Sequence, residues 1–292
     1  MASVISSFSR AGLNVVDRKQ FRQERVCPLA IAYWNNLLPV LLVCPLIVFS
    51  PALGGWFSDL LSFEIFLLSL LIQFVAYGFS FAFKNLRVID IAILTKSADI
   101  TVPLMLVIAG AYSVSFSLFL FLPLILLIFI LSSGIENLKK SYQSSIFLVS
   151  MLTAQGVYAY FAVFNAAFDR EFWSLLSIAF SVLVWRLIFS ILFLLGEQRI
   201  SNVYIFPRQY LSFMGFYLRG FLAAVTQVSF VFAITSNNLW IVWPILNTTG
   251  ILGAIFAYLF LRERLSLIDF ICILFASLIT GIAVIFLNYQ RY

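Results

Sequence analysis

Apolar runs of about 20 residues recur from one end of this chain to the other, and they constrain its fold more than any other feature. The stretch from Leu118 to Leu131, for example, reads LFLFLPLILLIFIL. A bilayer core of roughly 30 Å needs about 20 mainly apolar helical residues per crossing. Only 10% of the 292 residues are charged and the mean hydropathy is +1.07, whereas soluble domains carry about 25% charged residues. The sequence therefore predicts an all-α integral membrane protein.

Charged, glycine, proline and serine residues divide the chain into ten predicted transmembrane helices. Their ranges are 2–20, 28–49, 61–83, 88–112, 115–133, 144–166, 172–195, 210–234, 239–261 and 267–288. The connections between them are too short for a separate soluble domain. The first range contains Arg10, Asn14 and several serines. Two interpretations of it stay open: a polar helix that its neighbours shield, or a segment that does not cross.

Basic residues in the connecting segments predict the orientation. Twelve of them follow odd-numbered helices, whereas only Arg170 and Arg291 lie on the other side. The twelve are Arg18, Lys19, Arg22, Arg25, Lys84, Arg87, Lys139, Lys140, Arg199, Arg208, Arg262 and Arg264. The odd-numbered loops are therefore expected to be cytoplasmic and the C-terminus to lie outside. A bacterial inner membrane is the expected location.

An internal repeat of about 150 residues relates the two halves of the chain, 1–140 and 141–292. The segment FSFAFKNL from Phe79 aligns with VSFVFAIT from Val228, and each is followed by a helix that contains a proline, Pro103 or Pro244. Because each half has five crossings, the second half enters the membrane with the opposite polarity. Inverted repeats are typical of transporters in which a central site alternates between the two sides.

Four basic side chains fall inside the predicted helices and away from the helix ends. Arg186 and Arg219 lie about 13 Å from the nearer helix end, and Lys96 and Asp99 are equally deep. Each such charge costs about 2.5–3.5 kcal/mol on insertion scales. With Arg10 these make four cations, whereas Asp99 is the one clear acid at mid-depth. An anionic substrate is therefore expected to supply the missing charge, since guanidinium groups suit carboxylate or phosphate.

Structural interpretations of these charges stay open beside the functional one. Lys96 and Asp99 are spaced i,i+3, so they can form a salt bridge that only stabilises the helix. The arginines can extend towards the membrane interface. Asp99 has two candidate roles: it holds Lys96 in place, or it takes up a proton and couples transport to a proton gradient.

Aromatic and amide residues in two of the predicted helices are further candidates for substrate binding. They are Tyr33, Asn35 and Asn36 in the second helix, and Trp243, Asn247 and Thr248 in the ninth. Amides bind hydroxyls, and aromatic faces stack on sugar or base rings. The same residue types also form interfacial belts and hydrogen bonds between helices.

The final third of the chain reads WPILNTTGILGAIFAYLFLRERLSLID from Trp243, and then LITGIAVI from Leu278. It resembles the EamA-type repeat of the drug/metabolite transporter superfamily, with a proline in the ninth helix, a short turn and a glycine in the last helix. Arg262 stands where that turn usually has glycine. The resemblance implies ten helices as five plus five and transport of small organic solutes. Many relatives have cytoplasmic termini, in conflict with the charge count above.

A second resemblance concerns the stretch YWNNLLPV from Tyr33. It is similar to the Tyr-Asn-Asn signature of nucleotide-sugar and triose-phosphate transporters, although Trp34 interrupts the motif. Ile245 to Asn247 is similar to the Leu-Asn-Lys part of their second motif, with Thr248 in place of the lysine.

The function expected from these features is secondary transport, by alternating access, of a small anionic organic metabolite that is phosphorylated, nucleotide-linked or a carboxylate. The alternative is an exporter of amino acids or of neutral or cationic drug-like metabolites. An enzyme acting on a lipid-linked saccharide is disfavoured, since the chain has no histidine and no metal-ligand spacing among Cys27, Cys44 and Cys272. No cofactor, metal or nucleic acid is expected. The expected partners are the substrate, the lipid bilayer and, for a coupled transporter, protons.

Overall fold

A computed structural model of the chain describes residues 1–23, 28–51, 53–109, 117–164, 171–201, 214–234, 245–246 and 248–289. These residues are helical apart from short connections. The helices are α1 Ala2–Gln23, α2 Pro28–Val48, α3 Leu53–Leu61, α4 Phe63–Asn85, α5 Val88–Ile108, α6 Ser117–Ser133, α7 Ile135–Phe164, α8 Phe172–Ser201, α9 Met214–Ile234, α10 Thr249–Phe256, a π-helical turn Ala257–Leu261, and α11 Leu267–Tyr289. The all-α prediction is confirmed for these residues.

Four of the described helices are long and apolar enough to cross a membrane. Their apolar segments are Ile31–Val48, Phe63–Asn85, Phe172–Gly196 and Gly215–Ala233. Pro123–Ser133, Thr249–Leu261 and Leu267–Ile279 are shorter apolar helices. Large apolar side chains such as Leu131, Phe260 and Leu278 point outward and are more than half exposed. An outer surface of this kind suits lipid, and the fold is that of a membrane-embedded protein.

Helices occupy the ten ranges predicted from the sequence as far as these are described, with three differences. The short helix α3 lies between the second and third ranges and was not predicted, because its nine residues are too few to form an apolar run of membrane length. Helix α7 begins at Ile135 rather than at residue 144, and α8 continues to Ser201. Charged residues end an apolar run but not a helix, since lysine and glutamate are good helix formers.

Backbone features at three residues separate successive helices. Ser62 caps α4 by accepting a hydrogen bond from the backbone nitrogen of Ile65 at 3.5 Å. Gly134 has φ of +77° and separates α6 from α7. Arg262 follows the π-helical turn with φ of +53° and is the one non-glycine residue with positive φ in the described part of the chain. Position 262 thus has a backbone conformation that favours glycine.

The helices pack in pairs that come from both halves of the chain. Helix α1 packs against α9 and α10, and α4 packs against α7. Helix α2 contacts α9 and α8 contacts α4, while α5 contacts both α7 and α10. Helix α6 packs against α5 and α11. The largest apolar core forms around α5, with α4, α6, α10 and α11.

The polar side chains of α1 are turned towards its neighbours. Ser7 donates a hydrogen bond to the carbonyl of Ile245 at 2.7 Å, and Thr226 donates to Ser9 at 2.8 Å. Both serines are buried. Neighbouring helices thus shield the polar residues of α1.

Two glycines mark places where helices approach each other closely. A methyl group at Gly156 in α7 would lie 2.5 Å from the nearest carbon of Val102 in α5. A methyl group at Gly220 in α9 would lie 2.6 Å from the β-carbon of Leu38 in α2. These contacts bring the helix backbones together around the centre of the bundle.

Candidate functional site

Two adjoining cavities lie between the two halves of the chain. We call the first, of about 80 Å³, the arginine cavity; it lies between α1, α4, α8 and α9. We call the second, of about 130 Å³, the lysine cavity; it lies between α1, α4, α5, α7, α9 and α10. Arg10, Asn14 and Phe79 line both cavities. The wall between the cavities is thus formed by α1 and α4.

Arg219 lies in the arginine cavity and is paired with Asp17. Its Nε donates to one carboxylate oxygen of Asp17 at 2.7 Å and its Nη2 donates to the other at 3.3 Å. The remaining Nη1 donates to the backbone carbonyl of Asn35 at 3.1 Å. Arg219 and Asp17 are 7% and 5% exposed. The carboxylate of Asp17 therefore neutralises the positive charge of Arg219.

Arg186 lies in the same cavity, and its partners are neutral. Its Nε donates to the amide oxygen of Gln73 at 3.3 Å, and its Nη1 donates to the amide oxygen of Gln227 at 3.4 Å. No carboxylate of the described chain lies within 4 Å of its guanidinium. Asn36 orients this group, because its amide donates to Gln73 at 3.0 Å and to the carbonyl of Arg186 at 3.2 Å. The charge of Arg186 is therefore oriented but not neutralised.

Arg10 is the third guanidinium of the arginine cavity. It lies over the ring of Phe230, 5.8 Å from the ring centre, a distance that allows a cation–π interaction. Among the described residues it has no carboxylate within salt-bridge distance. As far as the chain is described, the cavity wall thus carries three guanidinium groups and the single carboxylate of Asp17. The side-chain nitrogen of Gln227 is buried and has no hydrogen-bond partner among the described residues, so it is a further donor beside Arg186.

The lysine cavity contains the buried pair formed by Lys96 and Asp99. The Nζ of Lys96 donates to Asp99 Oδ2 at 3.4 Å. Gln155 also lines this cavity and is 7% exposed. The hydroxyl of Thr249, the first residue of α10, donates to the carbonyl of Leu246 at 2.6 Å. The walls of the lysine cavity are therefore mainly apolar, with polar groups that include the acceptor Asp99, the cation Lys96 and the amide of Gln155.

The predicted site residues fall into three groups. Lys96 and Asp99 line the lysine cavity, and Arg186 and Arg219 line the arginine cavity. Asn35 and Asn36 lie behind the arginines and contact them. Tyr33 and Thr248 line neither cavity: Tyr33 packs edge-on against Trp34, and Thr248 is exposed and bonds to the carbonyl of Ile245. Trp243 and Asn247 lie outside the described residues.

Sequence reasoning missed four residues of the site. Asp99 was expected to be the one clear acid at mid-depth, and the structure adds Asp17, because the packing of α1 against α9 places this carboxylate against Arg219. Arg10 was counted as a charge but not placed in the site. Gln155 and Gln227 were missed because an isolated glutamine in an apolar run has no pattern that distinguishes it.

Ion pairs close the bundle at one end, about 12 Å along α1 from Arg10. Arg18 in α1 donates to Glu263 at 3.2 Å and to the carbonyl of Phe83 at the end of α4. Glu263 also accepts from the backbone nitrogen of Val88 at 3.3 Å. These bonds join α1, α4, α5 and the connection between α10 and α11.

A second group of ion pairs at the same end is centred on Arg87. This guanidinium donates to Asp90 at 2.8 Å and to Asp269 at 3.0 Å. Ser132 adds a bond to Asp269 at 3.1 Å. The hydrogen bonds to Asp90, and then those to Asp269, raise the pKa of Arg87 above its ordinary value against the opposing effect of burial.

No protein-family model matches this chain, and no curated protein matches it.

Proposed function

We propose that this protein is a secondary transporter of a small organic anion whose carboxylate or phosphate binds in the arginine cavity. The observation that carries the proposal is the charge balance there. Among the described residues that line the cavity, Arg10, Arg186 and Arg219 are balanced by the carboxylate of Asp17 alone, and both oxygens of Asp17 are engaged by Arg219. Unneutralised charge in a buried site is costly. An anion that accepts hydrogen bonds from Arg186 and Arg10 removes that cost.

The helix packing supports an architecture of two inverted five-helix repeats. In the two halves, 1–140 and 141–292, helices α1, α2, α4 and α5 correspond to α7, α8, α9 and α10. The contact of α1 with α9 then corresponds to the contact of α7 with α4. In the same way the contact of α2 with α9 corresponds to that of α8 with α4, and the contact of α1 with α10 to that of α7 with α5. Both cavities lie between the halves, where transporters of this architecture bind substrate. The EamA-like turn and the ten-helix pattern support the same proposal.

The two ion-pair groups that close one end support the proposal of alternating access. Residues there belong to connections that the basic-residue distribution predicts to be cytoplasmic. For substrate to reach that side, the pair of Arg18 with Glu263 and the pair of Arg87 with Asp269 must separate. The proposed setting is a bacterial inner membrane, with substrate exchanged across it.

Uptake into proteoliposomes tests this function. Purified protein is reconstituted and presented with labelled carboxylates, phosphorylated metabolites and nucleotide-linked sugars, with and without a pH gradient. Arg186→Gln is expected to lower uptake about 10- to 100-fold, because a hydrogen bond to a charged group contributes about 1.5–3 kcal/mol. Arg264→Gln is the matched control, since Arg264 is exposed and lines neither cavity.

Transport of the tested anions at an unchanged rate by Arg186→Gln contradicts the proposal. The second candidate function, export of amino acids or cationic metabolites, is favoured by one observation: the Asp99 carboxylate lines the lysine cavity. Thermal stabilisation of the protein by amino acids or organic cations, and not by anions, distinguishes this candidate.

A further inference from the structure

We infer that the two cavities form one bipartite site, which binds an anionic group in the arginine cavity and an uncharged, hydroxyl-bearing body in the lysine cavity. The inference rests on the proposed function and narrows its substrate class. It predicts that neither a plain fatty-acid-like anion nor a zwitterionic amine is the preferred ligand.

The two cavities share a wall. Arg10, Asn14 and Phe79 each contribute to both linings. A molecule whose anionic group reaches Arg186 therefore places the rest of its body beside Arg10 and on the lysine-cavity side. In the described chain Asn14 makes no hydrogen bond, so its amide is available to such a molecule at the junction.

The lysine cavity contains hydrogen-bonding groups that have no partner among the described residues. Gln155 is more than nine-tenths buried and lines the cavity, and none of the described residues forms a hydrogen bond with its amide. Asp99 accepts one bond, from Lys96 to Oδ2, which leaves its Oδ1 without a partner among the described residues. Polar groups inside a protein are stable when they are hydrogen-bonded. A ligand in the cavity can bond to both groups.

The charges around Asp99 decide which ligand groups fit. Within the described lining of this cavity, Asp99 is the one carboxylate, and Lys96 and Arg10 are the cations. A ligand ammonium would bring a third positive charge, whereas a second ligand anion would repel Asp99. A hydroxyl donates to Asp99 and accepts from Gln155, so it uses both groups without adding charge. The apolar remainder of the wall, which includes Phe79, suits the carbon–hydrogen surface of a polyhydroxylated chain.

Calorimetric titration of the purified full-length protein with three six-carbon acids tests the inference. The probes are gluconate, hexanoate and 6-aminohexanoate, which share a carboxylate and differ in their bodies. Gluconate is expected to bind at least about tenfold more tightly than either of the others, because a site built to bond hydroxyls rejects analogues that lack them. Sorbitol 6-phosphate and hexyl phosphate form the parallel pair for a phosphate head group.

Two variants separate the inference from the proposed function. Gln155→Leu, which keeps a similar volume, is expected to bring the ratio of gluconate to hexanoate affinity close to one, and Asp99→Asn to reduce it. Arg186→Gln is expected to weaken both acids by the same factor. If hexanoate or 6-aminohexanoate binds as tightly as gluconate while Arg186→Gln still weakens it, the bipartite site is wrong and the anion site stands. If Arg186→Gln weakens neither acid, the proposed function itself is wrong.

Discussion

Arg219 in α9 and Asp17 in α1 form an ion pair with nitrogen–oxygen distances of 2.7 and 3.3 Å, although 202 residues separate them along the chain. The pair ties the first helix of one half to a central helix of the other. Because both carboxylate oxygens are engaged, Arg219 stabilises the bundle, and the unneutralised positive charge of the cavity resides on Arg186 and Arg10.

Breaking this pair from either side is expected to destabilise the fold. Arg219→Met or Asp17→Leu alone leaves a buried charge without its partner, which lowers the free energy of unfolding by about 3–5 kcal/mol. The double variant leaves no lone charge and is expected to lose less than either single variant. Unfolding in mixed micelles, followed by helical circular dichroism, measures the three values. Additive losses in the double variant would show that the pair is not coupled.

Overpacking at Gly220 is expected to separate α9 from α2. Gly220→Ala places a methyl group 2.6 Å from the β-carbon of Leu38, which cannot rotate away. We expect a loss of about 1–3 kcal/mol in the free energy of unfolding. Gly196→Ala in α8 is the control, because nothing lies within 4 Å of its added methyl group, and alanine favours a helix by about 0.5–1 kcal/mol over glycine. Equal effects of the two changes would contradict the close approach.

Glycine at position 262 is expected to stabilise the protein. Arg262 is exposed and has φ of +53°, a conformation that costs a side-chain-bearing residue about 1–2 kcal/mol. Arg262→Gly removes this strain, and the greater flexibility of glycine when unfolded offsets part of the gain, which leaves about 0.5–1 kcal/mol. Arg262→Ala removes the charge but keeps the strain, so its melting temperature should lie below that of the glycine variant.

Opening of the closed end can be followed at a native cysteine. Cys272 in α11 is 7% exposed and packs in the core beside this end. With Cys27 and Cys44 replaced by serine, Glu263→Gln is expected to raise the rate at which a maleimide labels Cys272 several-fold, since Arg18 loses its ionic partner. Glu64→Gln, at an exposed residue of α4 outside both ion-pair groups, serves as control. Unchanged labelling in the Glu263 variant would show that the pair does not hold this end closed.

The positions of the helices could be predicted because apolar runs of membrane length are a local property of the sequence. Helix ends were less accurate where charges continue the helix, as at Lys139 and Lys140 in α7. The pairing of Lys96 with Asp99 was predictable from its i,i+3 spacing, and the structure places the two groups 3.4 Å apart. Both successes depend on residues close together in the chain.

The charge balance of the site could be predicted only in part, because it depends on contacts between distant segments. Asp17 lies near the predicted end of the first helix, and only the packing of α1 against α9 brings it to Arg219. The role of Asn36 as a support for Arg186 also could not be predicted without the three-dimensional structure. In the sequence, an amide is equally typical of a substrate contact. Thr248 shows the opposite error, because a polar residue next to a motif turned out to face outward.

The burial of the polar face of α1 has a consequence for biosynthesis. Ser9 and Asp17 form hydrogen bonds with Thr226 and Arg219 of α9, and Ser7 bonds to Ile245, farther along the chain. The ribosome completes α9 roughly 200 residues after α1. At a translation rate of about 5–20 residues per second, on the order of 10–40 s pass between the synthesis of α1 and the synthesis of these partners. During this interval the translocon or the headgroup region must hold α1, so assembly of the amino-terminal segment is coupled to translation of the carboxyl-terminal half.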